Sequence, residues 1–135
     1  MKRILMLAAA LLLLLCVPAG CSGAAVTAGD LSGKTYVWEK EGFGSDFTVT
    51  LNEDGTYLYY AGALSSYIGE GRWTLDSGVV TLAEDKELCG YDNVFRFAAG
   101  EGELVFISEG SDDFMYVDVQ DGDKFVYSPD ADPLY

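Results

Sequence analysis

The sequence predicts an all-β fold, an antiparallel up-and-down meander of about eight or nine short strands that closes into a small barrel. Three observations predict it. From Leu31 onward no stretch sustains a helical repeat, apolar and polar residues alternate with period two in segment after segment, and tight-turn residues separate those segments. Consecutive segments joined by short turns pair with their neighbours, and closure removes the two exposed edges that a flat meander of this length would leave.

The opening strand is expected over 34–40. Next, Phe47, Val49 and Leu51 share one face while Asp46, Thr48 and Thr50 take the other. Residues 52–55 turn the chain, Gly55 being free to adopt positive φ, and 56–60 return as the partner strand. Residues 71–75, 76–78 and 79–83 repeat the hairpin, with Trp73 and Leu75 facing Val80 and Leu82. A third hairpin runs from 93–97 through 100–102 to 103–107, and a fourth from 114–119 through 121–123 to 124–127. The tail, 128–135, carries Pro129 and Pro133 and should leave the sheet.

Residues 1–20 differ in composition from the rest and read as a targeting segment. Lys2 and Arg3 give a positive start, 4–17 is an unbroken apolar run, and Pro18, Ala19 and Gly20 supply the turn and small residues of a cleavage site. A membrane-spanning helix takes about 20 apolar residues, more than this run provides. The small pair Ala19-Gly20 leads directly into Cys21, and this junction resembles the lipobox of bacterial lipoproteins. The resemblance implies a diacylglyceryl thioether on Cys21, cleavage ahead of it and a lipid anchor in the membrane, with the domain facing outside the cytoplasm. Residues 21–30 are small and aperiodic and read as a flexible tether, leaving 31–135 as the barrel domain.

Without residues 1–20 the chain keeps 115 residues, one domain of ordinary size. Lys2 and Arg3 leave with that segment, so of 8 basic residues 6 remain against 22 acidic, a net charge of −16. That balance excludes nucleic acid as a partner and direct electrostatic docking on anionic lipid. With Cys16 removed and Cys21 on the lipid, Cys89 stands alone; in Leu88-Cys89-Gly90 it reads as a buried small hydrophobe.

The chain has no histidine, which removes the Ser-His-Asp and Cys-His arrangements and the usual zinc sites together. Ser65-Ser66 has no nucleophile-elbow context, and with acids expected mainly at turns no buried carboxylate pair presents itself. No enzyme activity, cofactor or metal is expected. Ser111-Asp112-Asp113 and Asp121-Gly122-Asp123 offer oxygen donors, but Asp and Gly are also what tight turns require.

The most suggestive segment is 57–71, where Tyr57, Tyr59, Tyr60 and Tyr67 flank the longest apolar connection between strands. It forms either a lid at a barrel mouth, with these tyrosines and Trp73 offered to a ligand, or a loop folded back to plug the barrel end. Phe-x-Val-x-Leu-x-x-Asp-Gly-Thr-Tyr at 47–57 followed by Gly-x-Trp-x-Leu-x-x-Gly-x-Val-x-Leu at 71–82 is similar to the lipocalin-like domains of small bacterial lipoproteins. That resemblance covers 31–127. It implies a compact meander barrel in a family some of whose members bind small apolar molecules; beside that binding module stands a second reading, a barrel with a packed interior that serves as an interaction module for another envelope protein.

Overall fold

A computed structural model describes residues 25–40, 47–62 and 65–131. Eight antiparallel strands close into a barrel in which each pairs with the next and the last with the first. They are β1 (Lys34–Trp38), β2 (Thr48–Leu51), β3 (Thr56–Tyr60), β4 (Ile68–Asp76), β5 (Val79–Glu84), β6 (Val94–Gly100), β7 (Glu103–Ile107) and β8 (Lys124–Tyr127). Two single-turn helices accompany them, α1 (Ala28–Leu31) before β1 and α2 (Lys86–Cys89) between β5 and β6. The expectations for residues 1–20 and for lipidation at Cys21 lie outside the described residues.

Three of the four expected hairpins form where turn chemistry placed them. At the β4–β5 turn Ser77 and Gly78 both take positive φ, 49° and 75°, the conformation that matches a two-residue turn to the right-handed twist of its strands. Trp73 faces Leu82 and Leu75 faces Val80, as the alternation required.

The fourth hairpin does not form, and the barrel closes with eight strands. Residues 114–119 are irregular, and β8 pairs directly with β7, Leu104 opposite Phe125. The physical reason is local. Tyr116 takes φ 65°, which breaks an extended run, while Phe114 turns into the barrel, 5% exposed, with its ring stacked on Phe95 at 3.9 Å. Side chains fasten the resulting connection, 108–123, to the strand ends. Asp112 accepts from Val94 N–H at 2.8 Å, Ser111 Oγ from Arg96 N–H at 2.8 Å, and Asp121 from Ser108 N–H at 2.8 Å. The two Asp-rich turns weighed for calcium therefore spend carboxylate oxygens on main-chain donors.

The inward rows fill the barrel with rings. Phe47, Tyr59, Phe95, Phe97, Phe114 and Phe125 are all buried and meet mainly edge to face, the geometry that aromatic quadrupoles prefer. One end, here called proximal, carries the turns after β2, β4 and β6 together with α1. There Thr27 and Asp30 close a capping box, the Asp30 carboxylate accepting from Thr27 N–H at 2.8 Å and from its hydroxyl at 2.7 Å. Leu31 is 1% exposed and Val26 packs on the core, so the stretch read as an aperiodic tether is, from Val26 on, part of the barrel's proximal closure.

Candidate functional site

The opposite, distal end carries the connections after β3, β5 and β7, and there the inward rows stop being purely apolar. Along β5 the inward positions are Val80, Leu82 and Glu84, so the period of two that buries two aliphatic side chains also drives a carboxylate inward. Glu84 is 7% exposed. Opposite it on β4 stands Gly71, which in turn faces Tyr57 on β3, so no side chain projects between the phenol and the acid. One step further out, Tyr59 lies across from Gly69, and its ring occupies the space that a β4 side chain would take.

Tyr67, half-buried just before β4, completes the cluster by donating from Oη to Glu84 Oε1 at 2.7 Å, a charge-assisted hydrogen bond. The other carboxylate oxygen, Oε2, and the hydroxyls of Tyr57 and Tyr59 are buried without a direct partner. Burial, reinforced by the Glu84 charge, pushes the Tyr57 and Tyr59 phenols far above the ordinary range. Tyr67 is raised as well, by burial first, then by its hydrogen bond to Glu84 and by the nearby Cys89 thiol. All three are neutral donors at physiological pH. Cys89 ends α2 and is half-buried, its thiol donating to Asp85 O at 3.2 Å, so it is less enclosed than the sequence suggested.

These shifts have a consequence for stability. Tyr36, on the wall of the barrel, is likewise pushed up to about 12, chiefly by burial. In the unfolded chain all four phenols ionise near pH 10, whereas in the folded protein they hold their protons to higher pH. Stability from this source is therefore complete below pH 10 and is lost as pH rises beyond it, by about 1.4 kcal/mol per pH unit for each phenol ionised only in the unfolded chain. Thermal melts at pH 9 and pH 11 should show a steep fall in midpoint; equal midpoints would mean that the phenols are not buried as described.

The five aromatic residues read from the sequence as one ligand surface do not form one. Tyr57, Tyr59 and Tyr67 come together around Glu84, Tyr60 ends β3 on the outward-facing row, and Trp73 closes the proximal end with Nε1 donating to Asn52 O at 3.0 Å. The connection between β3 and β4 is 61–67, shorter than expected because β4 begins at Ile68 rather than at Gly71 and takes in Gly69. The distal plug comes from Phe114 in the 108–123 connection. Glu84 was missed because the strand was ended at Ala83; extending the alternation of Val80 and Leu82 by one more step would have found it.

Two of the surface recesses mark the ends of the barrel. A shallow proximal groove of about 580 Å³ runs between α1, the β2–β3 turn and Trp73. A distal one of about 370 Å³ is lined by Asp113, Phe114, Tyr116, Val117, Asp118 and Val119, and Tyr116 beside it is 80% exposed. Among the described residues no group of three or more Cys, Asp or Glu side chains is arranged to hold a metal ion. No family model, no curated protein and no solved structure matches the chain.

Proposed function

We propose that the chain is an exported lipoprotein, anchored through Cys21, whose barrel is a packed, non-enzymatic platform that docks a basic protein of the bacterial envelope at its distal end. The single observation that carries this reading is the ring-filled interior, in which Phe95 and Phe114 stack at 3.9 Å and Phe47, Tyr59, Phe97 and Phe125 close around them. It favours an interaction module over a carrier of a small apolar ligand.

The anchor and the docking end follow from the same topology. The described chain starts at Ala25, beside the proximal end, and Cys21 lies four residues earlier, at most about 14 Å of extended chain. The lipid therefore holds the proximal end at the bilayer and turns the distal end outward. There β7 and β8 are joined by residues 108–123, where a hairpin would need about two to five. This connection carries Glu109, Asp112, Asp113, Asp118, Asp121 and Asp123 with no Lys or Arg, and it exposes Tyr116 in a backbone conformation unusual for an aromatic residue. Exposed aromatic area ringed by acids is suited to a cationic, partly apolar protein surface.

The test has three arms. Cys21→Ser should move the protein from the membrane fraction to the soluble envelope fraction. The purified protein should take up no stoichiometric amount of a hydrophobic fluorescent probe; saturable one-to-one uptake would return the barrel to the ligand carriers. A photocrosslinking side chain at position 116 should give a salt-sensitive adduct with a protein of basic surface, while the same group at position 74 should give none. Equal labelling from both positions would defeat the distal docking assignment.

A further inference from the structure

We propose that Glu84, Tyr57 and Tyr59 form a binding site for a compact monovalent cation inside the distal end of the barrel, a site independent of the docking reading. Three oxygens carry it: Glu84 Oε2 and the hydroxyls of Tyr57 and Tyr59, all buried and without a direct partner. Burial, and then its closeness to Glu84 and Tyr67, holds the Tyr59 hydroxyl protonated, so these oxygens share one locality. None of the three has a partner of good geometry, and an occupant reached by all of them would satisfy them together. Tyr57, Gly71 and Glu84 stand in one row across β3, β4 and β5, and Tyr59 is the next inward residue on β3. Because the middle residue is glycine, nothing from β4 reaches into the space.

Charge identifies the class of occupant. The two ion pairs among the described residues join Lys40 to Asp123 and Lys124 to Glu103, and neither involves Glu84. Its carboxylate, 7% exposed, thus faces the interior with one hydrogen bond and no cation. The phenols around it stay neutral, and Glu84 is the one carboxylate of the cluster, so the site supplies at most a single negative charge. One positive charge balances it, whereas calcium sites gather several carboxylates. Size narrows the class further, since the three oxygens present almost no surface to solvent, and only an alkali ion or an ammonium group is compact enough to sit among them.

The experiment uses the full protein in non-ionic detergent, moved from tetramethylammonium chloride into sodium, potassium or ammonium chloride at constant ionic strength. Tetramethylammonium is too large for the site and has no donor. One compact cation or more should raise the thermal midpoint saturably, by about 5 °C at ten times its Kd, and should shift the ring resonances of Tyr57 and Tyr59. Comparison of the three salts separates alkali ions from the ammonium class. Glu84→Gln should abolish the response; should that variant fail to fold, Tyr59→Phe should weaken the Kd about tenfold. Identical behaviour in all four salts, which is what a pocket filled by water alone would give, overturns the proposal. So does a cation response that survives in Glu84→Gln or an unchanged Kd in Tyr59→Phe.

Discussion

Phe114→Ala should lower the unfolding free energy by about 4 kcal/mol, the loss expected when a fully packed phenylalanine is cut back and its cavity persists. The residue belongs to no strand, yet its ring stacks on Phe95 at 3.9 Å with the planes 6° apart. It also meets Phe47, Tyr59 and Phe106 at centroid distances of 5.0, 5.1 and 5.6 Å. The strands around the resulting void are held in a closed ladder and have little freedom to collapse into it, which places the cost towards the upper part of the usual range. Because the ring is the main apolar anchor of residues 108–123, amide hydrogen exchange should also accelerate across that connection before the rest of the barrel is affected. Urea denaturation checks the first part and native-state exchange the second. Tyr116→Ala, two residues on and 80% exposed, is the control and should change stability by less than about 0.5 kcal/mol. A Phe114→Ala variant as stable as that control would show that the connection does not plug the barrel.

How far the sequence could be read depended on whether a feature was written in consecutive residues or in the meeting of distant ones. The hairpins at 52–55, 77–78 and 101–102 were legible because a turn type and the alternation beside it are local properties, and both pointed to the same pairing. The supposed strand at 114–119 contains Phe114, Val117 and Val119, which imitate a half-buried strand well enough. What defeated it was competition for one edge, since β8 occupies the face of β7 that such a strand would need, with Phe125 completing the inward row. The tyrosines of 57–71 were noticed for their composition and read together as a lid or a plug, with Gly69 left in the connection and Gly71 opening the next strand. In the barrel those glycines are strand positions facing Tyr59 and Tyr57, a relation set by register across two strands. The capping box of Thr27 and Asp30 was hidden for a different reason, because one helical turn is too short to carry a period.

Gly71→Ala should be the most damaging change of a single methyl group, costing roughly 3–5 kcal/mol. An added Cβ would stand 1.9 Å from Ala83 O, 2.8 Å from Ala83 C and 2.9 Å from Glu84 Cα. All three are backbone atoms of β5, so no side-chain rotation relieves the overlap; either β4 and β5 separate or the pairing of Gly71 with Glu84 and of Arg72 with Ala83 is distorted. Gly100→Ala supplies the comparison, since there the nearest atom is Glu103 Cγ at 3.1 Å, part of a flexible side chain at the strand end. That substitution should cost under about 1 kcal/mol. Denaturation of the two variants side by side decides the matter, and equal stabilities would mean that β4 and β5 are not as close as described. The same contact bears on the polar cluster. The strand that separates Tyr57 from Glu84 approaches β5 too closely to carry any side chain, and a carboxylate pointing inward from β5 at that level is left facing phenols across a bare stretch of backbone.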